Sequence, residues 1–446
     1  MTRKQHIRNI LIITAVAGAG GLWYLFTPDK AQLDIAEMQG AVPNLTKMRI
    51  EGFPTIQIPD VTGWKAGETP TAAAGLTVKP FASGLAHPRN MLVLPNGDVL
   101  VAESNAPERE PVDAKDWIAQ KLILKSNAGN KSANRITLLR DSDGDGVAET
   151  SEVLLEGLNS PYGMALVKHR LYVANTDGIR VYPFVPGQTK ISDAGKDVIP
   201  LPAQLPNNHW TRNLAYDAKE NMLYVTIGSN SNIAENGLEV EENRAQIKQL
   251  DLSKGKSLIF AYGLRNPTGL AFNPTSGTLW TTVNERDQLG SDGPPDYLTT
   301  VDFGTFYGWP WYYWGGMVDR RILNTRPDLQ QYSKRPDFAL GPHVAALGMT
   351  FSAGAKLGPA YANGAFIAQH GSWNRKPKSG YKVVFVPFNE RGFPVKGAKP
   401  QPVLTGFLAK DESSASGRPA AVAIDASGAL LVADDSGNMI WRVTSG

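Results

Sequence analysis

The chain has no cysteine in 446 residues. Disulfides, thiolate metal sites and cysteine nucleophiles are therefore excluded, and export without oxidative folding is compatible with that absence. Histidine is scarce, at six. Charge of one sign is also scarce. The formal net charge is +3, and Arg3, Lys4 and Arg8 alone supply three positive charges, so the remaining chain is near neutral. Without a basic field, nucleic acid is not an expected partner. What is present is 42% hydrophobic residues in short runs, with 44 glycines and 31 prolines. That combination predicts a large core built from many short strands and turns.

One run is an exception. Asn9–Phe26 is uncharged over eighteen residues and follows a basic stretch. That length suffices for a bilayer-spanning helix, and the charge order places the body outside the cytoplasm. Residues 1–28 are therefore expected to be a transmembrane signal anchor. The protein would be single-pass in the inner membrane, with its body facing the periplasm. The alternative is a signal peptide cleaved after Ala15-Val16-Ala17, which would leave the body secreted or periplasmic. Residues 29–75, rich in Pro, Thr, Ala and Gly, read as an extended linker and lead-in.

From residue 76 to 446 one pattern recurs six times, roughly every 50 to 80 residues. A Gly-Leu-like turn precedes polar residues, a short apolar strand, a Gly/Asn/Asp turn and a second strand ending in a polar residue. The copies begin near Gly84, Gly157, His209, Gly263, Leu347 and Gly417. Repeats of this kind predict an all-β, six-bladed β-propeller with its insertions on loops. Equivalent positions then ring one axis. Residues just before each innermost strand converge on one mouth: His87, Arg89, Tyr162, His209, Arg212, Arg265, Asn266 and Arg418. Arginine in four of the six copies suits a planar polyanion. His209, three residues from Arg212, is a candidate general base. The aromatic run Trp309–Trp314 is either core or a platform for a flat ligand or sugar ring.

Asp141, Asp143 and Asp145, with Gly146, the Val147 carbonyl and Glu152, match the spacing of a calcium-binding loop. Its flanks read as strands, so the expected site is a static one between strands. An acidic glycine-rich hairpin is the alternative.

Taken together, His87-Pro-Arg-Asn90, Asp141-Ser-Asp-Gly-Asp-Gly146, Asn208-His-Trp-Thr-Arg-Asn213, Gly263-Leu-Arg-Asn-Pro-Thr-Gly-Leu270, Asn284-Glu-Arg-Asp287, Tyr307-Gly-Trp-Pro310 and His370-Gly-Ser-Trp-Asn-Arg375 carry a family resemblance. Over residues 76–446 the chain resembles the pyrroloquinoline quinone (PQQ)-dependent sugar dehydrogenases, and most of all their membrane-associated sorbosone dehydrogenase branch. The resemblance implies PQQ and Ca2+ as cofactors and oxidation of a sugar or a sugar-derived aldehyde or alcohol. It implies His209 as the base and Arg265 as the residue that stabilises charge on the quinone oxygen. Arg89, Arg212, Asn266, His370, Trp373, Asn374, Arg375, Lys378 and Arg418 are the implied cofactor-binding set. The backbone of Arg286, Asp287 and Gln288 is the implied ligand loop for the quinone-linked calcium, although the glucose enzymes have glycine and proline there. A respiratory quinone or a periplasmic cytochrome is the implied electron acceptor. A calcium-dependent lactonase-type hydrolase and a non-catalytic binding propeller are the competing readings on this fold.

Overall fold

The structure is a computed structural model that describes residues 29–45, 48–51, 55–111 and 131–446, together with six isolated positions (5, 9, 14, 18, 117 and 121). Six sheets, each built on four antiparallel strands, are arranged as the blades of a propeller. In the first blade the strands are Pro88–Val93, Val99–Glu103, Arg135–Arg140 and Thr150–Leu155, in that order from the axis outward. The second strand of this blade is buried along its whole length, Val-Leu-Val-Ala-Glu. It is covered on both faces by neighbouring blades, so apolar residues fill consecutive rather than alternate positions. Between blades the core is carried by large side chains such as Trp280, Phe338, Phe385 and Trp441, all fully buried.

The ring closes by exchange of chain ends. The sixth blade takes three strands from the C-terminus, Pro419–Ile424, Leu430–Asp434 and Met439–Ser445. Its outermost strand is Leu76–Ala82, paired antiparallel to Met439–Ser445. Long-range pairing of this kind leaves no open edge at the seam.

Innermost strands meet closely at the axis. A Cβ on Gly348 would lie 2.6 Å from the Ala421 Cα of the next blade, so only glycine fits. Below the mouth the channel is crossed by polar contacts between blades. Asn90 Nδ2 donates to Asn213 Oδ1 at 3.1 Å, Asn213 Nδ2 to Thr268 O at 2.8 Å, and Thr268 Oγ1 to Ala346 O at 2.9 Å. They form a floor beneath the mouth.

The segment before the propeller, expected as an extended linker and lead-in, makes its own pairings with the blades. Its described residues lie along the blades. Asp60–Val61 pairs in parallel with Ser414–Ala415, and Thr71–Ala72 extends the fifth blade beside Gln401–Thr405. Gly40 and Ala339 exchange two backbone hydrogen bonds, Met38 is fully buried, and the Trp64 indole donates to Asp434 at 2.6 Å. Pro and Gly content signals a lack of regular structure, but it says nothing about whether a strand edge nearby accepts the chain. Among the described residues no helix is long and apolar enough to cross a membrane. The anchor expected over residues 1–28 falls outside the described residues, apart from four isolated positions.

Candidate active site at the propeller mouth

Residues at the mouth sit at the start of an innermost strand, in the turn before it, or just after the second strand of a blade, which the repeat register requires. On the side of the third and fourth blades, His209, Arg265, Asn266 and Asp287 come together. Gly228 makes this possible. A Cβ there would lie 2.5 Å from His209 Cβ and 2.6 Å from Asn266 Oδ1. His209 Nδ1 lies 2.9 Å from both the carbonyl and the hydroxyl oxygen of Ser229. The Ser229 hydroxyl donates its own proton to Ser231 O at 2.6 Å. Nδ1 is therefore the protonated nitrogen, donating to Ser229, and Nε2 keeps its lone pair. Burial, and then the nearby positive charge of Arg265, hold the imidazole well below its ordinary pKa. It is neutral at physiological pH, as a proton acceptor must be.

Arg265 presents charge rather than free donors. Its five N–H groups meet five acceptors: Asn232 O (3.1 Å), Asn284 O (3.3 Å), Glu285 O (2.8 Å), Asn232 Oδ1 (2.8 Å) and Asp287 Oδ2 (2.9 Å). Asp287 Oδ1 in turn accepts from Asn374 Nδ2 at 2.8 Å, with His343 Nδ1 3.8 Å away. Asn266 Oδ1 is buried without a partner. An orphaned acceptor of this kind marks a place where a bound group is expected to donate.

The opposite side, from the first, fifth and sixth blades, is built on Asp435. This carboxylate is fully buried. It accepts from His370 Nε2 at 2.8 and 2.9 Å and from Ser436 Oγ at 3.0 Å, forms a close ion pair with Arg89, and has His87 Nε2 at 3.5 Å. Burial pushes the His370 pKa down to about 3 and the His87 pKa down to about 4. Burial alone would raise Asp435, but its basic partners, His370 first, hold it well below the ordinary carboxylate range. Arg89 also stacks on Trp210, 5.6 Å from the ring. The Tyr162 ring meets Trp210 edge-on, and its buried hydroxyl has no partner.

Several expected cofactor ligands point elsewhere. Arg212 is wholly enclosed and donates to His209 O, Thr211 O, Pro202 O and Asn207 Oδ1. Arg375 donates to Ser291 O and Pro377 O, and Arg418 to His370 O and Gly371 O while lying over Tyr381. All three arginines are clamps on main-chain carbonyls, because the irregular loops they cross carry acceptors that strands do not satisfy. His370 is committed to Asp435 and Asn374 to Asp287. Trp373 stays at the rim, 37% exposed, and Lys378 is half-buried beside Glu412. Sequence reasoning passed over Asp435, Asp287 as a side chain, Asn232 and Trp210. Asp435 was findable, since it follows the second strand of its copy at the register of Glu285 and His370.

The residues fit PQQ in part. The orphaned Asn266 Oδ1 and Tyr162 hydroxyl and the Arg89 guanidinium offer polar groups at the mouth beside a neutral imidazole. The loop at 286–288 does not fit calcium in the expected way. Arg286 is buried against Glu285 and Asp319. The Asp287 carbonyl accepts from Arg321 Nη1 (2.7 Å) and Asn232 Nδ2 (3.3 Å), and the Gln288 carbonyl from Arg321 Nη1 (3.3 Å) and Glu51 N (3.1 Å). The carbonyls of Asp287 and Gln288 therefore do not present free backbone ligands, and the Arg286 guanidinium is tied up in the interior. In the acidic loop, Asp141, Asp143 and Asp145 converge with Glu149 rather than with Glu152. Glu152 lies in the strand Thr150–Leu155, opposite Leu138. The strand begins before the twelfth position is reached, and Glu149, whose carboxylate accepts from Ser142 N at 2.8 Å, turns back into the loop instead.

The family model described as TrAA12-like matches residues 119–296 and 325–446. An uncharacterized protein of Borreliella burgdorferi is 31% identical over 295 residues, covering 64% of this chain and 76% of that protein. The aldose sugar dehydrogenase YliI of Escherichia coli (strain K12) is 26% identical over 180 residues, 36% of this chain and 46% of that one. The chain thus spans less than half the length of that named relative. Two solved structures share the fold at a TM-score of 0.68. The calcium structure of Trichoderma reesei carbohydrate-active enzyme family AA12 is 19% identical and covers 84% of this chain and 97% of its own. The holo form of the pyranose dehydrogenase PQQ domain from Coprinopsis cinerea is 20% identical and covers 87% of this chain and 100% of its own.

Proposed function

The chain belongs to the TrAA12-like family, and from that premise we propose that it is a PQQ-dependent dehydrogenase of sugars or of sugar-derived aldehydes and alcohols. One observation carries the reading. A half-buried, neutral His209 with its Nε2 unprotonated shares a rim with the orphaned acceptor of Asn266 and the fixed charge of Arg265. PQQ, when bound, supplies a quinone that accepts hydride from the substrate carbon. The chain's own residues do the rest. His209 Nε2 accepts the proton of the substrate hydroxyl, and Ser229 holds the ring in that tautomer. Arg265 favours negative charge at the mouth, a preorganised electrostatic effect. Asn266, Arg89, Tyr162, Lys378 and Trp373 are the residues that would hold the cofactor.

Calcium belongs to this reading, but its ligands are not the carbonyls of Asp287 and Gln288. A second calcium held by Asp141, Asp143, Asp145 and Glu149 is proposed as a structural ion. Export of the propeller behind the uncharged run at 9–26, and transfer of electrons to a respiratory quinone or a periplasmic cytochrome, complete the proposal. The test is reconstitution of the propeller with PQQ and calcium, followed by dye reduction over aldoses, sorbosone-like aldehydes and simple alcohols. Substrate-dependent dye reduction and bleaching of the quinone absorbance are expected. Neither signal with any substrate would overturn the reading.

A further inference from the structure

Arg321 comes from the long insertion between the third and fourth strands of the fourth blade, and it ends on the loop beside Arg265. Its guanidinium is locked from behind. Nε and Nη2 bind Asp319 Oδ1 and Oδ2 at 2.9 and 2.7 Å, and its own backbone N–H binds Oδ1 at 3.1 Å. Asp319 is fully buried and also takes Arg286 Nη1 at 3.3 Å. Arg286 is held in turn by Glu285 (2.9 Å), Pro310 O (2.7 Å) and Tyr312 O (2.7 Å). Burial works to raise Asp319, but the hydrogen bond from Arg321 and the charge of Arg286 outweigh it and hold the carboxylate below its ordinary range. The four side chains Glu285, Arg286, Asp319 and Arg321 carry two negative and two positive charges and sum to zero.

From this locked position Nη1 reaches both carbonyls of the loop turn, where Gln288 adopts a φ of 65°. A carbonyl oxygen has two lone pairs. With Asn232 Nδ2 and Glu51 N as the second donors, both lone pairs of both oxygens are used. A calcium ion needs carbonyl oxygens at about 2.3–2.6 Å. It would have to expel a donor and sit beside a fixed guanidinium in an already neutral network, which like-charge repulsion opposes.

We propose that Arg321 takes the place of a metal ion at the carbonyls of Asp287 and Gln288, as a positioning residue that shapes this turn and so sets Asp287 against Arg265. The inference concerns the protein without its cofactor and goes beyond the assignment of activity. Its test therefore needs no PQQ and can fail independently of that assignment.

The experiment is amide hydrogen exchange over residues 283–292, in calcium and in chelator, for the wild type, Arg321→Gln and Arg321→Lys. In the wild type, protection of this segment is expected to be the same in both buffers. Arg321→Gln is expected to lose about tenfold protection, the scale of one charged hydrogen bond. Calcium should restore it, because the vacated carbonyls then accept the ion, and Arg321→Lys should retain most of it. Three results would each overturn the proposal: calcium-dependent protection in the wild type, wild-type protection in Arg321→Gln, or a loss that neither calcium nor lysine repairs. The wild-type comparison decides the matter even where a variant fails to fold.

Discussion

The two sides of the mouth start from the same pattern, basic residues beside an innermost strand, and end with different chemistry. On the Asp435 side, one buried carboxylate gathers Arg89, His370 and, at 3.5 Å, His87, and the atoms left without partners are neutral or peripheral to it, the Tyr162 hydroxyl and Arg89 Nε. On the His209 side, the charges are paired at the rim, His209 Nε2 keeps its lone pair while Nδ1 binds Ser229, and Asn266 Oδ1 is left without a partner. The difference lies in depth. Asp435 is completely enclosed, so its charge must be compensated on every side, whereas the Asp287 side chain is 22% exposed and shares its load with water. A fully compensated cluster holds structure, and an incompletely compensated one retains capacity for chemistry.

The sharpest break in that comparison is expected from His209→Gln. A glutamine keeps hydrogen-bonding capacity at Ser229 but cannot take the proton. PQQ should still bind, and kcat should fall by about 10^3-fold, within the range for a lost general base. Single-turnover bleaching of the quinone measures the step directly, and unchanged turnover would move the base elsewhere.

Exchanging carboxylates tests the two sides against each other. Asp435→Asn leaves Arg89 uncompensated in the interior and is expected to destabilise the fold by about 3–5 kcal/mol. Asp287→Asn, at a more exposed pair, is expected to lower stability by less than about 1 kcal/mol. Urea unfolding of both variants gives the comparison, and equal losses would refute the distinction.

Acid and base should also act on the sides in opposite senses. His370 and His87 titrate in the folded state at about 3 and 4, against about 6.5 unfolded. Their contribution is full above the unfolded value and is lost as pH falls from about 6.5 towards 3. On the other side Asp296, fully buried and accepting from Glu285 N at 2.8 Å, is raised by burial to about 7. Its contribution is present below about pH 4 and is lost as pH rises through 7. Melting temperature measured against pH should therefore pass through a maximum between these limits. Asp296→Asn should remove the fall above about pH 6.5 and steepen the rise between about 4 and 6.5, and a profile unchanged by that substitution would contradict the assignment.

The smallest effect is expected far from the mouth. Calcium should raise the melting temperature by a few degrees through Asp141, Asp143, Asp145 and Glu149. Asp143→Asn should abolish that rise and Glu152→Gln should preserve it. The reverse order would restore Glu152 as the ligand.

The repeat determined a great deal without any structure. Six copies of turn, strand, turn and strand define six blades, and strand ends follow from the register, so His209, Arg265 and Asn266 were placed at one mouth from spacing alone. Local spacing also defined the three aspartates of the acidic loop, because their ligating geometry is made within a few residues. What a side chain touches at the mouth is not local. Arg418 meets carbonyls 47 and 48 residues away, Arg89 meets a carboxylate 346 residues away, and Arg321 meets carbonyls 33 and 34 residues away. Only the closed ring decides those partners. An arginine reads the same in sequence whether it faces an open cradle, a buried carboxylate or an unsatisfied backbone oxygen. Which of the three it meets is set by the depth and acceptors that neighbouring blades provide.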